Sequence, residues 1–271
     1  MGTFVSGDGI QGDKFFSRIV SKLRKAGCVF AEDEARFLIS SALTPTDLIR
    51  MIEQRSTGLP IEHIIGWAQF CDKRIVVDRG VFVPRHRTEF LVQQAAALIR
   101  PGSVVVDLCC GSGAVGAVLA STIERVELYA TDIDPAAVRC ARRNITDAGG
   151  GLVYEGDLYT PLPTALRGRI NVIVANTPYV PTQAIELLPS EARLHETRLA
   201  LDGGMDGLDV QRRVVAEAPL WLAPGGHLLV ETSKRQSQMT LELFSGNGLI
   251  SQIISFDELD ATVVIGTKPT P

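Results

Sequence analysis

The sequence predicts an α/β fold: a doubly wound, mostly parallel sheet of seven strands, preceded by a small helical domain and a β-hairpin. Continuous β-branched and apolar runs, such as Val104–Leu108 and Val172–Ala175, are typical of strands buried on both faces of a parallel sheet. Helical segments alternate with such runs from Ser103 onward, and this alternation specifies a doubly wound sheet. Residues 14–54 show helical spacing without strands, which predicts the separate helical domain.

Composition narrows the class of protein. The chain has 271 residues, 45% of them hydrophobic, which is enough for one main domain with an appendage. A net charge of -4 and a pI of about 5.6 argue against a dedicated nucleic-acid binder. The five cysteines form no C-x-x-C pair, so we expect no metal site, no disulfide framework and a reducing cytoplasmic location. No apolar run approaches the ~20 residues of a membrane span, and no secretory signal is expected.

The amino-terminal part is expected to be helical, with a hairpin after it. Residues 1–13 are Gly-rich and polar and predict a loose end, whereas three apolar stripes at helical spacing follow, up to about Gln54. We assign residues 1–65 to a helical domain. Two short extended runs, Trp67–Phe70 and Arg74–Val77, are separated by three polar or small residues and predict a β-hairpin within a linker, residues 66–86.

The remaining residues, 87–271, are expected to form the α/β domain. Thr88 has the residue type of an N-cap and would start a helix that Pro101-Gly102 stops. Pro135 suits a first helical turn, and Pro224-Gly225-Gly226 is expected to turn into the next strand. The strands are expected at 104–108, 126–131, 152–154, 171–175, 227–231, 250–256 and 261–266, with helices at 88–99, 114–121, 135–148, 209–222 and 236–244.

The strand at 171–175 leads into Asn176-Thr177-Pro178-Tyr179. Pro178 cannot donate a ladder hydrogen bond, so the strand ends here in a stiff loop at the carboxyl edge of the sheet, where open α/β sheets bind ligands. The Asn176 side-chain oxygen and the Thr177 backbone carbonyl together offer acceptors for both hydrogens of a planar NH2 group. Tyr179 offers an aromatic face for stacking. The alternative is that these four residues are only a turn.

Three further turns follow successive predicted strands. Asp107 leads into a glycine turn with Gly111 and Gly113, where glycines let the backbone approach a ligand. Asp132 ends the second strand and Asp157 follows the third, and each carboxylate can accept hydrogen bonds from a ligand. Any one of these residues alone is an ordinary loop or cap residue. Their order along the chain, together with Asn-Thr-Pro-Tyr, is much more specific.

This order is similar to that of class I S-adenosylmethionine-dependent methyltransferases. Within them, the chain resembles the protein glutamine N5-methyltransferases of the HemK/PrmC type, which modify peptide-release factors. Segments 58–70 and 83–89 resemble that family's hairpin and linker. The run 195–208, His-Glu-Thr-Arg-Leu-Ala-Leu-Asp-Gly-Gly-Met-Asp-Gly-Leu, closely resembles a long and unusual stretch of the family.

The resemblance implies a site and a reaction, with residues 1–65 as a substrate-recognition domain and residues 87–271 as the cofactor-binding catalytic domain. Its cofactor would be S-adenosyl-L-methionine, converted to S-adenosyl-L-homocysteine, with Asp132 on the ribose and Asp157 near the adenine. Its substrate would be a protein carrying the target glutamine, such as a release factor, without stable nucleic-acid binding. The implied catalytic residues are Asn176, Thr177, Pro178 and Tyr179; the cofactor residues are Asp107, Cys109, Gly111, Gly113, Asp132, Ile133, Asp157, Leu158 and Asn176; and the substrate residues are Phe82, Arg85, Asn176, Pro178, Tyr179 and Glu196.

The chain departs from the family pattern at a few positions. Thr177 replaces the first proline of Asn-Pro-Pro-Tyr, although its backbone carbonyl remains as an acceptor. Cys109 replaces the first glycine of the cofactor turn, His86-Arg87 replaces Pro-Glu in the linker, and Thr197 replaces a further proline.

Two other functions remain open from the sequence. The same cofactor could serve an exocyclic amine of adenine or a small amine or amide metabolite. A methyltransferase-like binding module without activity is the second alternative, and the presence of Asp107, Gly111, Gly113, Asp132 and Asn176 argues against it. None of the four histidines is assigned as a base, because methyl transfer to an amide does not need one beforehand.

Overall fold

The computed structural model describes residues 9–270, and the chain divides into two compact units. The first unit ends at Gly66 and also takes in Pro189–His195. The second unit comprises Trp67–Leu188 and the chain from Glu196 onward, so it includes the hairpin. No helix of residues 9–270 is both long and apolar enough to span a membrane.

The first unit is helical, as the apolar stripes predicted. The loose end predicted for residues 1–13 is wrong for residues 9–13, which already belong to the first helix, and residues 1–8 lie outside the described part. The short helices at Ile61–Ile65 and Ser190–His195 were not predicted. The helices of this unit are α1 (Gly9–Lys25), α2 (Ala31–Ser41), α3 (Pro45–Ser56), α4 (Ile61–Ile65) and, after three further helices, α8 (Ser190–His195).

A buried arginine ties the first unit together. Arg55, at the end of α3, is 6% exposed, and its Nε and Nη2 atoms donate to the Glu34 carboxylate of α2 at 2.6 and 3.0 Å. Its Nη2 atom also lies 2.6 Å from a carboxylate oxygen of Glu191 in α8. A bidentate pair of this kind adds geometric specificity to the electrostatic attraction. Arg55 therefore holds α8 against the bundle although α8 is distant in sequence.

The second unit contains a two-stranded hairpin and a seven-stranded sheet. The sheet has the strand order β5-β4-β3-β6-β7-β9-β8, with β9 antiparallel to both neighbours and the other pairs parallel. The strands are β1 (Trp67–Phe70), β2 (Lys73–Val76), β3 (Val104–Leu108), β4 (Glu127–Asp132), β5 (Leu152–Glu155), β6 (Ile170–Ala175), β7 (Leu222–Thr232), β8 (Ile250–Phe256) and β9 (Ala261–Thr267). The predicted doubly wound, mostly parallel sheet of seven strands is therefore confirmed.

Helices cover both faces of this sheet. Two buried apolar clusters lie on opposite faces, and alternate residues of one strand belong to different clusters: Val105 to one, Val104 and Val106 to the other. This is why the parallel strands read as continuous apolar runs. The helices are α5 (Thr88–Leu98), α6 (Ala114–Thr122), α7 (Pro135–Asp147), α9 (Asp209–Trp221) and α10 (Ser237–Gly246).

Two details of the predicted elements are wrong. Thr88 is not an N-cap: it lies inside α5 and is buried, and Arg87 occupies the cap position without a side-chain hydrogen bond. Pro224-Gly225-Gly226 does not precede β7 but lies within it. The register with β6 shifts there, between Ile170 and Val172, because Gly225 takes a φ of 74° and donates its N–H to Lys268 instead.

Asn144 of α7 joins the hairpin to the glycine turn. Its Oδ1 accepts from the Val76 N–H at 2.9 Å, and its Nδ2 donates to the carbonyls of Val76 and Ser112, both at 2.8 Å. The side chain thus acts as a strand partner for the free edge of β2. Asn144 is only 5% exposed, so water cannot easily replace these bonds.

Replacement of Asn144 by alanine is therefore expected to lower the free energy of unfolding by about 2–4 kcal/mol, because the Val76 N–H loses its partner and the carbonyls of Val76 and Ser112 each lose a hydrogen bond. Urea titration would measure the change. Asn247→Ala is the matched control, since its exposed side chain makes one bond, to the Leu243 carbonyl. Equal midpoints for the two variants would contradict the role assigned to Asn144.

Candidate active site

The strand register places four residues in one row at the carboxyl edge of the sheet. Leu108 of β3 pairs with both Thr131 of β4 and Ala175 of β6, and Ala175 pairs with Val230 of β7. The residues that follow these strand partners are Cys109, Asp132, Asn176 and Glu231. Three of them were predicted from the sequence and Glu231 was not.

The glycine turn leaves β3 in a left-handed conformation. Cys109, Gly111 and Gly113 have φ angles of 55°, 54° and 75°. A Cβ atom on Gly113 would lie 2.9 Å from Cα and Cβ of Ala141 in α7, so only glycine fits there. At Gly111 an added Cβ would meet no described atom within 4 Å, which leaves open space above the turn. The turn therefore exposes its backbone at the sheet edge before α6 begins.

Cys109 and Cys110 lie in this turn beside buried carboxylates. Burial raises the pKa of the Cys109 thiol, and the nearby charges of Asp132, Asp107 and Asp157 raise it further. The pKa of the Cys110 thiol rises for the same reasons, with burial as the main cause. Both thiols are therefore neutral at physiological pH.

Asp107 lies beneath the turn rather than above it. Its side chain is buried, and its Oδ2 accepts from the Gly116 N–H of α6 at 2.9 Å. Burial raises the pKa of Asp107 from 3.8 to about 7, and the hydrogen bond from Gly116 opposes that rise. The carboxylate thus fixes the first turns of α6 and, through them, the glycine turn.

This raised pKa predicts a pH dependence of stability. The folded chain holds the Asp107 proton more tightly than the unfolded chain, so the free energy of unfolding falls as pH rises from 3.8 to about 7. Asp107→Asn keeps an acceptor for Gly116 and removes this titration. We expect its unfolding free energy, relative to that of the original chain, to increase across this window by at most about 1.4 kcal/mol per pH unit and then level off. Parallel stability curves from denaturant titrations would contradict the assignment.

Asp132 connects the glycine turn to the start of α7. Its Oδ2 accepts from the Gly111 N–H at 2.8 Å, and its Oδ1 accepts from the Asp134 N–H at 2.9 Å. Burial raises the pKa of Asp132, and these backbone hydrogen bonds oppose the rise. The side chain of Ile133 next to it is 53% exposed, so an apolar surface lies beside the carboxylate.

Asp157 lies in the neighbouring turn. The Gly156 N–H donates to the Asp132 backbone carbonyl at 2.9 Å, which joins the two turns. The Asp157 carboxylate accepts from Nη2 of Arg213 in α9 at 2.5 Å, and both side chains are about half exposed. Leu158 follows with a φ of 49° and a buried side chain. The structure thus brings the predicted cofactor residues Cys109 to Gly113, Asp132, Ile133, Asp157 and Leu158 to adjacent turns.

Asn176 begins the loop after β6. Its Nδ2 donates to Oγ1 of Thr88 at 3.2 Å, so the amide NH2 group faces α5 and Oδ1 faces away from Thr88. Thr177 is buried, and its Oγ1 has no hydrogen-bond partner among the described residues. The Tyr179 hydroxyl donates to Oε1 of Glu231 at 3.3 Å, and burial raises the pKa of Tyr179.

The glycine-rich run 203–207 packs against the back of this loop. Val180 donates its N–H to the Leu201 carbonyl at 3.0 Å and accepts from the Gly203 N–H at 2.9 Å. A Cβ on Gly203 would lie 2.7 Å from the Pro178 carbonyl oxygen. A Cβ on Gly207 would lie 2.3 Å from the Tyr179 carbonyl oxygen and from Nε2 of Gln236. These glycines are therefore required for the close approach of two backbone segments.

Gln236 completes this support. Its Nε2 donates to the backbone carbonyls of Tyr179 and Asp206 at 2.9 and 3.0 Å, and its Oε1 accepts from the Ser233 hydroxyl at 2.6 Å. Because the side chain is buried, all of its hydrogen-bonding groups act within the protein. It joins the loop to the glycine-rich run.

Phe82, Arg85 and Glu196 form a second group. The Arg85 guanidinium lies 4.7 Å from the centre of the Phe82 ring and 2.6 Å from Oε2 of Glu196. Oε1 of Glu196 accepts from the Val83 N–H at 3.1 Å, so the carboxylate is directed at this segment. The Arg85 carbonyl accepts from the Thr88 N–H at 2.9 Å, which joins this group to the residue that binds Asn176.

Sequence reasoning missed Thr88, Glu231 and Gln236 as site residues. Thr88 had been assigned to a helix end, where threonine is common. Glu231 carried a usable signal, because it is an acidic residue near the end of an apolar strand, as Asp107 and Asp132 are. Gln236 had no signal in the sequence, since its contacts depend on the loops that approach it.

Comparisons with known proteins agree with this geometry. A family model described as "Methyltransferase small domain" matches residues 73–206. The release factor glutamine methyltransferase of Geobacter sulfurreducens is 35% identical over 219 residues, which cover 80% of this chain and 76% of that protein. The enzyme of that name from Mycolicibacterium smegmatis is 36% identical over 212 residues, covering 77% and 74%.

Among solved structures, a ribosomal protein L11 methylase from Lactobacillus delbrueckii subsp. bulgaricus has a TM-score of 0.52 at 15% identity, and the match covers 72% of this chain and 85% of that one. At this identity the likeness shows the fold alone, and it confirms the class I methyltransferase fold. The two curated relatives extend the likeness to a family and confirm the resemblance seen in the sequence. The chain belongs to the release factor glutamine methyltransferase family of S-adenosylmethionine-dependent enzymes.

Proposed function

We propose that this enzyme methylates the side-chain amide nitrogen of a glutamine in a peptide-chain release factor. The observation that carries the proposal is the orientation of Asn176. Its NH2 group is held by Thr88 at 3.2 Å, so Oδ1 is left to accept from a substrate amide. The name shared by the relatives supports the choice of substrate.

The turns at the sheet edge fit S-adenosylmethionine. Positive φ angles at Cys109, Gly111 and Gly113 expose backbone groups, and the space above Gly111 is free of described atoms. The Asp132 carboxylate suits the ribose hydroxyls, while exposed Ile133 and the Asp157 turn suit the adenine. When bound, the cofactor supplies a methyl group carried on a positively charged sulfur.

The loop after β6 supplies the orientation that an amide nucleophile needs. An amide nitrogen is a weak nucleophile because its lone pair is delocalised into the carbonyl group. Oδ1 of Asn176 and the backbone carbonyl of Thr177 would hold its two hydrogens and favour positive charge on nitrogen. Such fixed dipoles and the positioning of the reacting groups are the main sources of rate in a reaction of this kind.

The residues around Arg85 would shape the entrance on the substrate side. Glu196 uses both carboxylate oxygens on the segment 83–85 and so fixes that segment. Phe82 and the Arg85 guanidinium lie together, and both side chains are only partly buried. An aromatic ring with a cation above it suits a peptide backbone and its carbonyl groups. We assign these residues to binding the substrate protein.

The test is a methylation assay with methyl-labelled S-adenosylmethionine and a purified release factor from the same organism. We expect label on the release factor, located by mass spectrometry on one glutamine, and no label when that glutamine is changed to glutamate. If the release factor stays unlabelled while a small metabolite or a nucleobase in a cell lysate becomes labelled, the proposed substrate is wrong.

A further inference from the structure

A cavity of about 320 Å³ opens at the amino edge of the sheet, at the opposite end of the strands from the candidate active site. It is lined by the end of α5, the turn before β3, the start of β6 and the bulge in β7. The pairing of β6 with β7 passes from Ile170 to Val172, so Asn171 lies opposite the bulged residues 223–226 without a strand partner in β7. Sites for small molecules have volumes of about 300–1,000 Å³. The cavity is therefore large enough for a small ligand.

Asn171 contributes a hydrogen-bond donor with a fixed orientation to this cavity. Its Oδ1 accepts from the Val104 N–H at 2.8 Å, so its Nδ2 is directed away from Val104. Asn171 lines the cavity, and Nδ2 has no hydrogen-bond partner in the described part of the chain. Because an amide NH2 group only donates, it can be satisfied there only by an acceptor.

Two further donors come from the turn before β3, and both residues line the cavity. The Ser103 hydroxyl accepts from the Arg100 N–H at 3.0 Å and donates to no described residue, although Ser103 is only 8% exposed. The Arg100 guanidinium makes one long bond, from Nη1 to the Ala97 carbonyl at 3.5 Å, and pairs with no carboxylate of residues 9–270. The turn thus supplies a positive charge and a hydroxyl proton without an acceptor.

The cavity contains no negative charge to compete with these donors. Among the described residues that line it, none is acidic, and His227 is the remaining polar side chain. Nδ1 of His227 lies 3.0 Å from Oγ1 of Thr267, which leaves Nε2 for another partner. Burial lowers the pKa of His227, so its ring is neutral at physiological pH and the positive charge of the lining comes from Arg100. Donors around one cation, without a carboxylate, suit an anion.

We propose that this cavity binds a phosphate group, as free phosphate or as part of a small phosphorylated metabolite, through the Arg100 guanidinium, the Ser103 hydroxyl and the Asn171 NH2 group. A phosphate has several acceptor oxygens and can accept from all three donors at once. Guanidinium groups also bind phosphate through two parallel hydrogen bonds, which adds specificity to the attraction. None of the residues assigned to the cofactor or the substrate belongs to the described lining, so this site is separate from the reaction proposed above.

An NMR titration of the 15N-labelled full chain tests this site without cofactor or substrate. The probes are inorganic phosphate, glycerol 3-phosphate and glycerol, at an ionic strength held constant with sodium chloride. We expect both phosphates, but not glycerol, to cause saturable shifts of the Asn171 side-chain NH2 signals and of the Gly102 and Gly226 backbone amides. The Asn171 side-chain signals are identified by their absence in Asn171→Asp. The phosphate probe with the lower Kd shows whether the site prefers free phosphate or a phosphorylated metabolite.

Three variants separate the site from a general effect of charge. Asn171→Asp keeps an acceptor for the Val104 N–H and replaces the NH2 group by a carboxylate oxygen, so it should abolish binding. Arg100→Gln should raise the Kd about 10-fold or more, because it removes the charged donor. Arg125→Gln is the matched control: it removes the same charge beside the same turn, where the Arg125 carbonyl accepts from the Gly102 N–H, but Arg125 does not line the cavity. Its Kd should equal that of the unmodified chain.

The results also separate this site from the proposed function. Absence of saturable shifts with either phosphate would overturn the site, whether or not the enzyme methylates a release factor. Equal Kd values in Arg100→Gln and Arg125→Gln would likewise overturn it, because binding would then not depend on the cavity lining. Saturable binding that Arg100→Gln and Asn171→Asp weaken, in a chain without methylation activity, would support the site and contradict only the proposed function.

Discussion

Replacement of Asn176 by alanine is expected to lower kcat for glutamine methylation by about 10²-fold to 10³-fold, the range typical for removing one preorganised dipole at a reacting centre. The side chain lies at the carboxyl edge of β6, with Nδ2 bonded to Thr88 at 3.2 Å. Alanine leaves Thr88 in place and removes only the acceptor oxygen Oδ1 and the NH2 group that bonds to Thr88. Calorimetry with S-adenosylmethionine should give an unchanged Kd, because the glycine turn and Asp132 do not depend on this side chain.

Asn171→Ala is the control for this variant. Asn171 lies at the opposite end of the same strand, where its Oδ1 accepts from the Val104 N–H at 2.8 Å. Losing that bond should lower stability by about 1 kcal/mol and leave kcat unchanged. If Asn176→Ala weakened cofactor binding as much as it lowered turnover, Asn176 would be a cofactor residue rather than an acceptor for the substrate amide.

Gly207→Ala is expected to lower kcat by about 10²-fold, through displacement of the Asn-Thr-Pro-Tyr loop and without touching the substrate. The new Cβ would lie 2.3 Å from both the Tyr179 carbonyl oxygen and Nε2 of Gln236. One of these must move, and Gln236 is itself bonded to the Tyr179 carbonyl. The loop would therefore lose its support on one side. Steady-state kinetics should show the loss chiefly in kcat.

The chain offers a control that matches the backbone strain. Gly248 has a φ of 78°, close to the 81° of Gly207, but an added Cβ there meets nothing within 4 Å. Both alanine variants should lose about 1 kcal/mol of stability from the left-handed conformation. Only Gly207→Ala should lose activity. Equal kinetics for the two variants would mean that the run 203–207 does not support the loop.

The sheet could be predicted because burial on both faces leaves a direct trace in the sequence. Runs such as Val104–Leu108 lie between two helical layers, so both side-chain rows are apolar. The row of Cys109, Asp132 and Asn176 could be predicted for a second reason. Residues that follow parallel strands lie at one common edge of the sheet. Helix boundaries were harder to predict where burial of a side chain outweighs its preference for a cap position. Thr88, which is buried inside α5, is the example.

The supporting contacts of the site could not be predicted from the sequence. The run 203–207 was recognisable only as a family resemblance, and its purpose depends on how closely it approaches the Pro178 and Tyr179 carbonyls. Gln236 and the bulge at Gly225 likewise depend on partners far away in the chain. Such contacts join segments distant in sequence, so no periodicity or local motif reports them.

The two thiols of the glycine turn have a chemical consequence. Only a thiolate is a strong nucleophile, and a carbon bound to a sulfonium is an electrophile that would alkylate one. Burial and three aspartates keep Cys109 neutral, and Cys110 is held neutral in the same way. The turn that would hold the sulfonium cofactor is thereby protected from alkylation at its own thiols.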